Sequence, residues 1–212
     1  TTIYGSASTL IENGENLTRQ QQEVILAGIK EDSEWLVHMV ENLLSITRID
    51  QGRVKITKTP TVLEELIDSI IIKFKNRYPA QEIVLDIPEE MVVIPMDAML
   101  IEQVIINILE NAVQHAEGMK HLYLRVYQQG DKAVFEIQDD GCGIEPDRLK
   151  NIFTGYYSVE DETSDIKKRN AGIGLSVCQT IVKAHDGVIT VRNHKNGGAV
   201  FSFTLQTDTD FL

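Results

Sequence analysis

Three short stretches of this 212-residue chain carry residue types that could do chemistry. Asp139-Asp140-Gly141-Cys142-Gly143 follows Ala133-Val134-Phe135-Glu136-Ile137-Gln138, whose alternation predicts a strand delivering the loop to a sheet edge. Gly141 and Gly143 accept φ > 0 and carry no Cβ. A flat ligand can therefore lie against the backbone while Asp139 or Asp140 points into the same cavity. Ala171-Gly172-Ile173-Gly174-Leu175-Ser176 predicts a glycine turn opening a helix, where backbone N–H groups and the helix dipole hold phosphate-type anions. Asn107, Asn111 and His115, spaced four apart, share one helix face, while Val104, Ile105, Ile108, Leu109 and Ala112 form an apolar stripe on another. Two familiar nucleotide signatures are excluded. There is no G-x-x-x-x-G-K-[ST], and G-x-G-x-x-G fails at Pro146 after Gly141/Gly143 and at Val177 after Gly172/Gly174.

Composition narrows the partners. With 42% hydrophobic and 25% charged residues, the chain is expected to form one or two domains with a real core. A net charge of −12 argues against nucleic acid or an anionic membrane surface, so a bound polyphosphate must rely on a local field. Cys142 and Cys178 give no disulfide framework and suit a reducing compartment; Cys142 reads as a small space-filler. No apolar run approaches about 18 residues, so the piece is expected to be soluble. It starts in mid-element without Met, which suggests a fragment of a longer protein.

The elements that must position these residues fall in two groups. Residues 1 to 13 predict the tail of one helix, ending at Asn13-Gly14. From Leu17 to Asp50, Ile25, Ile29, Asp32, Leu36, Met39, Leu43 and Ile46 alternate by four and three, the seam of a bundle helix. A helix of that length spans roughly 45–50 Å, too long to bury alone, so a hairpin pairing with a second copy through residues 1–50 is expected. The expected domains are 1–52, a helical hairpin; 53–60, an extended linker; 61–207, a second domain; and 208–212, a tail. In the second domain Thr61 should cap a helix from Val62 to Tyr78. Strands Glu82–Ile87 and Met91–Ile94 follow, then a helix near 98–116, and strands His121–Tyr127 and Lys132–Gln138 joined at Gln129-Gly130-Asp131. Ser158 to Asn170 is charged and aperiodic, the pattern of a functional lid or a disordered segment. A helix through Ala184 should end at His185-Asp186-Gly187, before a closing hairpin of Val188–Asn193 and Ala199–Leu205.

Taken in order, Asn107-x-x-x-Asn111-Ala112, Asp139-x-Gly141-x-Gly143, Phe153 with Tyr156, and Gly172-x-Gly174-Leu175 resemble the N, G1, F and G2 boxes of sensor histidine kinases. Thr1-Thr2-Ile3-Tyr4-Gly5, Val40-Glu41-Asn42-Leu43-Leu44 and Gly197-Gly198-Ala199-Val200-Phe201 look most like the potassium-responsive, Kdp-type branch. The resemblance implies an α+β fold: an α/β sandwich with a mixed, largely antiparallel sheet covered by helices, preceded by the helical hairpin. It implies ATP and Mg2+ as cofactors, with Asp139 accepting from the adenine amine and Gly141 and Gly143 letting the base approach. Asn111 would coordinate Mg2+, and Asn107 would hold phosphates or the metal's water shell. Gly172 and Gly174 would cradle phosphates, and Leu175 completes their box. His115 would touch phosphate, Lys167, Lys168 and Arg169 would supply positive charge, and Phe153 and Tyr156 would anchor the lid hinge unless they are simply core. Gln114, where many relatives carry Lys or Arg, removes one expected phosphate contact.

The implied reaction is phosphoryl transfer from ATP to a histidine and thence to a response-regulator aspartate, within the cytoplasmic part of a membrane-anchored sensor. The acceptor is expected just before Thr1. His38 lies on the wrong helix, and His115, His121, His185 and His194 fall in the second domain, so the fragment is not expected to phosphorylate itself. One alternative is an ATPase of the gyrase/Hsp90 type. Such enzymes place a glutamate where Asn107 stands, and a neutral amide cannot activate water; Glu110 points about 100° away. A non-catalytic nucleotide-binding module is the other.

Overall fold

A computed structural model describes residues 3–50, 56–153 and 171–207, apart from some side chains within 31–50 and those of 171–173. The chain divides into two compact units, Thr1–Ser45 and Ile46–Leu212.

In the first unit α1 (Ile3–Asn13) passes through one 3-10 turn (Gly14–Asn16) into α2 (Arg19–Asp50). Thr18 starts α2 with a reciprocal capping box: its Oγ1 accepts from Gln21 N at 3.3 Å, and Gln21 Oε1 accepts from Thr18 N at 2.9 Å. Gln22 Nε2 donates back to Gly14 O at 2.7 Å, tying the turn to the helix. Along α2 the apolar Val24, Leu26, Leu36, Val37 and Val40 are 43–68% exposed. The seam residues Met39, Leu43 and Ile46 have side chains outside the described set.

The second unit is built on one five-stranded sheet in the order β2-β4-β5-β7-β6, from β2 (Ile83–Asp86), β4 (Leu122–Gln129), β5 (Lys132–Asp139), β6 (Ile189–Asn193) and β7 (Ala199–Gln206). Only β2–β4 is parallel; the other ladders are antiparallel. The mixed, largely antiparallel sheet is thus as expected. Its registers stack Val126 on Phe135 on Phe203 on Ile189, and Leu124 on Ile137 on Phe201 on Val191, so one face is continuously apolar. The opposite face carries Arg125, Glu136, Ser202 and Arg192, with Arg125 Nε 2.6 Å from Asp86 Oδ2. Helices α3 (Leu63–Arg77), α4 (Ala98–His115) and α6 (Ala171–Ala184) share one core with the apolar face, and the short α5 (Pro146–Leu149) falls between the last two in the chain. In α3 that stripe is Leu63, Leu66, Ile67, Ile70 and Phe74; in α4, Ile101, Val104, Ile105, Ile108, Leu109 and Ala112; in α6, Leu175, Val177, Cys178, Ile181 and Val182. Burial pushes the Cys178 thiol up to about 12, so it behaves as a small apolar group.

Three local expectations are corrected. The expected linker runs straight into β1 (Thr59–Val62), which pairs antiparallel with β3 (Val93–Met96), so Thr61 is a strand residue and α3 starts after Val62 without a side-chain cap. Leu63 N is satisfied by Val92 O at 2.9 Å instead. The β3 strand runs through Pro95, which sits opposite Pro60 in this two-stranded edge pair where neither missing N–H is needed. The α6 helix ends before His185-Asp186-Gly187 as expected, and Asp186 takes the left-handed conformation (φ 63). Gly187 is required by packing: a Cβ there would lie 2.0 Å from Thr204 O. The boundary Gln51-Gly52-Arg53 lies outside the described residues.

His185 ties α6 to α4. It is 1% exposed; its Nδ1 donates to Ile181 O at 2.8 Å and its Nε2 accepts from Asp97 N at 3.0 Å, at the residue whose Oδ1 caps α4 through Leu100 N. Lys58 Nζ donates to His185 O at 3.2 Å and to Asp186 Oδ2 at 2.6 Å. Burial holds the imidazole below its usual 6.5, outweighing the Ile181 hydrogen bond and the Asp97 and Asp186 charges that favour protonation. The native state therefore keeps the ring neutral. This contribution is fully present above 6.5 and is lost as pH falls from there toward the lowered value, because the unfolded chain then binds the extra proton. His185→Gln is expected to cost about 1 kcal/mol at neutral pH and to flatten the loss of stability between about pH 7 and 5.5, read by urea unfolding. An unchanged acid limb would contradict this.

Candidate functional site

The site is assembled at one end of the sheet from β5, α4, α6 and the β6–β7 turn. Asp139 closes β5 and is 4% exposed. Its Oδ1 accepts from Gly141 N at 2.9 Å and its Oδ2 from Ala199 N at 3.2 Å. Each oxygen retains acceptor capacity, since a carboxylate offers about four lone-pair sites. Burial raises the Asp139 carboxyl above its ordinary value, opposed by the Gly141 and Ala199 N–H groups. A buried carboxylate held by two amides and still able to accept is suited to a neutral amine donor on a flat base.

Asp140, the other candidate, has a structural task. Its Oδ1 accepts from Lys120 N at 2.7 Å and His121 N at 3.0 Å, and its Oδ2 meets His121 Nδ1 at 2.8 Å. Burial alone would raise this carboxyl, but those hydrogen bonds and the imidazole prevail and bring it to about 2. The acidic pair is thereby divided: Asp140 braces the start of β4, and Asp139 keeps unused acceptor capacity.

The two glycines also differ. Gly143 has φ +77, as expected for a left-handed turn residue. Gly141 does not adopt positive φ; it is required because a Cβ there would stand 2.8 Å from Ala116 Cβ, at the end of α4. The loop can thus sit directly against the helix carrying the asparagines. Cys142 N completes this seat by donating to Glu117 O at 3.1 Å.

On α4, Asn107, Asn111 and His115 are half-buried beside the fully buried stripe. A Cβ on Gly174 would lie 3.9 Å from Asn107 Cγ, which places the start of α6 against the asparagine face. Gly172 and Gly174 lie inside the first turn of α6, which begins at Ala171, rather than in a turn before it. The leading N–H groups of such a helix start, that of Gly172 among them, are a suitable arrangement for anionic oxygens. Leu175 is 1% exposed and seats this turn in the core; it does not line the site. Burial, followed by the Arg148 charge, lowers the His115 imidazole, so His115 is neutral at physiological pH and can offer one N–H. Phe153 meets Phe201 edge-on, with ring centroids 6.3 Å apart at 85°, and packs on the core. Tyr156, Lys167, Lys168 and Arg169 lie outside the described residues.

Several participants escaped sequence reasoning. Gly198 (φ +81) backs directly onto Asp139, where a Cβ would lie 1.9 Å from Asp139 O. Ala199 supplies an N–H, and Asn193 grips the glycine loop. They come from a hairpin about fifty to sixty residues downstream, and an ordinary N-x-x-x-G-G turn carries no sign of which loop it will meet. Arg148, whose charge reaches His115, was likewise unmarked.

A helix pair presenting an asparagine face and an amide-lined helix start, beside a strand-end aspartate and glycine loop, is the arrangement of one ATPase class. Residues 96–209 match the family described as histidine kinase-, DNA gyrase B-, and HSP90-like ATPase, and this chain belongs to it. It is 39% identical over 203 residues to the sensor protein KdpD of Clostridium acetobutylicum, covering 96% of this chain and 22% of that relative. Among solved structures, the Acinetobacter baumannii histidine kinase AdeS shares the fold with a TM-score of 0.74 at 20% identity, covering 98% of this chain and 94% of that one. Histidine kinase ThkA, solved in complex with the response regulator protein TrrA, matches with a TM-score of 0.69 at 19% identity, covering 97% of this chain and 57% of that one. The chain thus carries a histidine kinase catalytic-domain fold and spans about a fifth of the length of its curated KdpD relative. No helix among the described residues is long and apolar enough to cross a membrane.

Proposed function

We propose that this chain is the nucleotide-binding, catalytic portion of a sensor histidine kinase, which passes the γ-phosphoryl group of ATP to a histidine elsewhere in the kinase and from there to a response-regulator aspartate. The observation that carries the reading is that the α6 start approaches Asn107 on α4 while the loop after buried Asp139 is seated against Ala116 at the end of the same helix. Asp139 would accept from the adenine amine, and Gly141, whose missing Cβ lets the loop seat on Ala116, would help hold the loop backbone beside the base. The leading N–H groups of α6 would hold phosphate oxygens, with Asn107 and neutral His115 adding polar contacts, and Lys168 and Arg169 adding charge. Asn111 would offer its amide oxygen to Mg2+, a hard cation that otherwise takes phosphate oxygens and waters. Among the described residues no group of three or more His, Cys, Asp or Glu is gathered, which suits a cation held largely by the nucleotide. When bound, ATP and Mg2+ supply the phosphoryl group and neutralise its developing charge. The protein's contribution is to position and to exclude water.

A gyrase- or Hsp90-like water-activating role is disfavoured at a named position. Asn107 has no basic carboxylate, and Glu110 is engaged by Arg77 Nη1 at 2.7 Å. The exposed apolar side chains of α2 support dimerisation through residues 1–50. The KdpD likeness supports a potassium-responsive sensor that is membrane-anchored elsewhere in its chain. Titration with a non-hydrolysable ATP analogue tests the core reading: saturable binding strengthened by Mg2+ is expected, and no binding by the wild type would overturn it. Asn111→Ala should remove most of the Mg2+-dependent gain, about tenfold or more, while leaving Mg2+-free binding nearly intact.

A further inference from the structure

The loop that would receive the base is held by its own Gly141 N–Asp139 Oδ1 hydrogen bond and by Cys142 N on Glu117 O, and its far end, at Ile144, is held from the β6–β7 hairpin. Asn193, the last residue of β6, takes both backbone groups of Ile144: its Oδ1 accepts from Ile144 N at 2.9 Å and its Nδ2 donates to Ile144 O at 2.7 Å. A two-point hold on one residue fixes orientation as well as distance. Gly143 is fitted to that grip, since a Cβ there would lie 3.0 Å from Asn193 Oδ1 and 3.3 Å from Gly198 O. The loop's other end is tied to the same hairpin by Ala199 N on Asp139 Oδ2 at 3.2 Å. Between these ties lie Gly141, Cys142 and Gly143, a stretch with little intrinsic stiffness.

We infer that Asn193 is a positioning residue for base recognition, setting the 141–144 loop at a fixed distance from Asp139 so that the pocket favours adenine over guanine. The inference rests on the nucleotide reading above. A carboxylate at Asp139 favours a base presenting an amine and opposes one presenting a carbonyl oxygen. That contrast persists only while the loop backbone cannot shift to accommodate the wrong edge. Asn193 is exposed and adds no apolar side chain to the core, so its truncation leaves folding intact. What changes is the ordering of the loop, which binding must then supply.

The test is calorimetric titration of the whole chain with ADP and with GDP, for wild type, Asn193→Ala and Asn193→Asp. Asn193→Ala should weaken ADP binding about tenfold and narrow the preference for ADP over GDP, with the melting temperature nearly unchanged. Asn193→Asp keeps the acceptor toward Ile144 N and loses the donor toward Ile144 O, so it should fall between. Wild-type ADP affinity in Asn193→Ala overturns the inference. So does weaker binding of both nucleotides in equal proportion with a lower melting temperature, which would mark a purely structural residue. If the wild type binds neither nucleotide, the reading of the site itself fails, and that result is distinct from either outcome.

Discussion

Gly198→Ala should cost the protein both stability and its nucleotide site. An alanine Cβ would be built 1.9 Å from Asp139 O, 2.7 Å from Asp139 C and 3.0 Å from Asp139 Oδ1, at a residue with φ +81. The nearest obstacles are backbone atoms, so no side-chain rotation relieves them. The left-handed conformation adds roughly 1–2 kcal/mol for any residue with a Cβ. The hairpin must move away from β5, which strains the Ala199–Asp139 hydrogen bond and the neighbouring Gln138–Val200 pair. A total of about 3–4 kcal/mol is expected, or a fall of roughly 8–15 °C in melting temperature for a domain of this size. ATP-analogue binding should weaken by more than about a hundredfold, because Asp139 is displaced with its strand end. Thermal unfolding and titration check both halves. A variant within about 1 kcal/mol of wild type would show that the hairpin and β5 are not locked together as described.

Asp139→Asn separates recognition from stability. The substitution keeps shape but leaves only one oxygen for the two N–H groups of Gly141 and Ala199. Against that lost hydrogen bond stands the removal of a buried charge, whose carboxyl burial raises. An acid with a raised native value binds an extra proton relative to the unfolded chain above 3.8, so its ionisation costs stability as pH rises through that window and the deficit persists at neutral pH. The two effects should offset to within about 1–2 kcal/mol. Binding should not be spared. A charged acceptor for the base amine is replaced by a group that can present an amide N–H, and affinity should fall about tenfold to a hundredfold. In the wild type, affinity should also fall as pH drops toward the Asp139 value, a dependence the Asn variant loses. Unchanged affinity would place the base elsewhere.

These two substitutions mark where the sequence was informative and where it was not. The α4 stripe was legible because a 3.6-residue period survives any tertiary context: Val104, Ile105, Ile108, Leu109 and Ala112 are all buried, and the asparagines lie beside them. Strands β4 and β5 were legible from alternation, and their ends drifted by only one or two residues. The acidic glycine loop stood out by its residues, which left Asp139 and Asp140 open, and the resemblance to sensor histidine kinases singled out Asp139. What could not be read were effects of distant partners. Thr61 looked like a helix cap until β3 supplied a ladder for it. Gly187 was legible as part of the stop after α6, but nothing local showed that Thr204 claims the space behind it. Asp140 differs from its neighbour in the partners that meet it, the main-chain N–H groups of residues 120 and 121 and the His121 imidazole. Asn193 offered no local cue, because its meaning lies in Ile144, forty-nine positions earlier.

The pairing of β5 with β7 has a consequence for chain closure. Its ladder runs from Gln138 opposite Val200 to Lys132 opposite Gln206, so the central seam of the sheet encloses everything between them, including 154–170. Closure entropy grows only logarithmically with the length enclosed; even doubling the enclosed chain adds about 0.6 kcal/mol. In closure entropy alone, a longer chain between the paired strands therefore costs the sheet little. The β5–β7 ladder brings Asp139 and Ala199 to the same meeting point from strands some sixty positions apart, and that meeting is set by the ladder and not by the length it encloses.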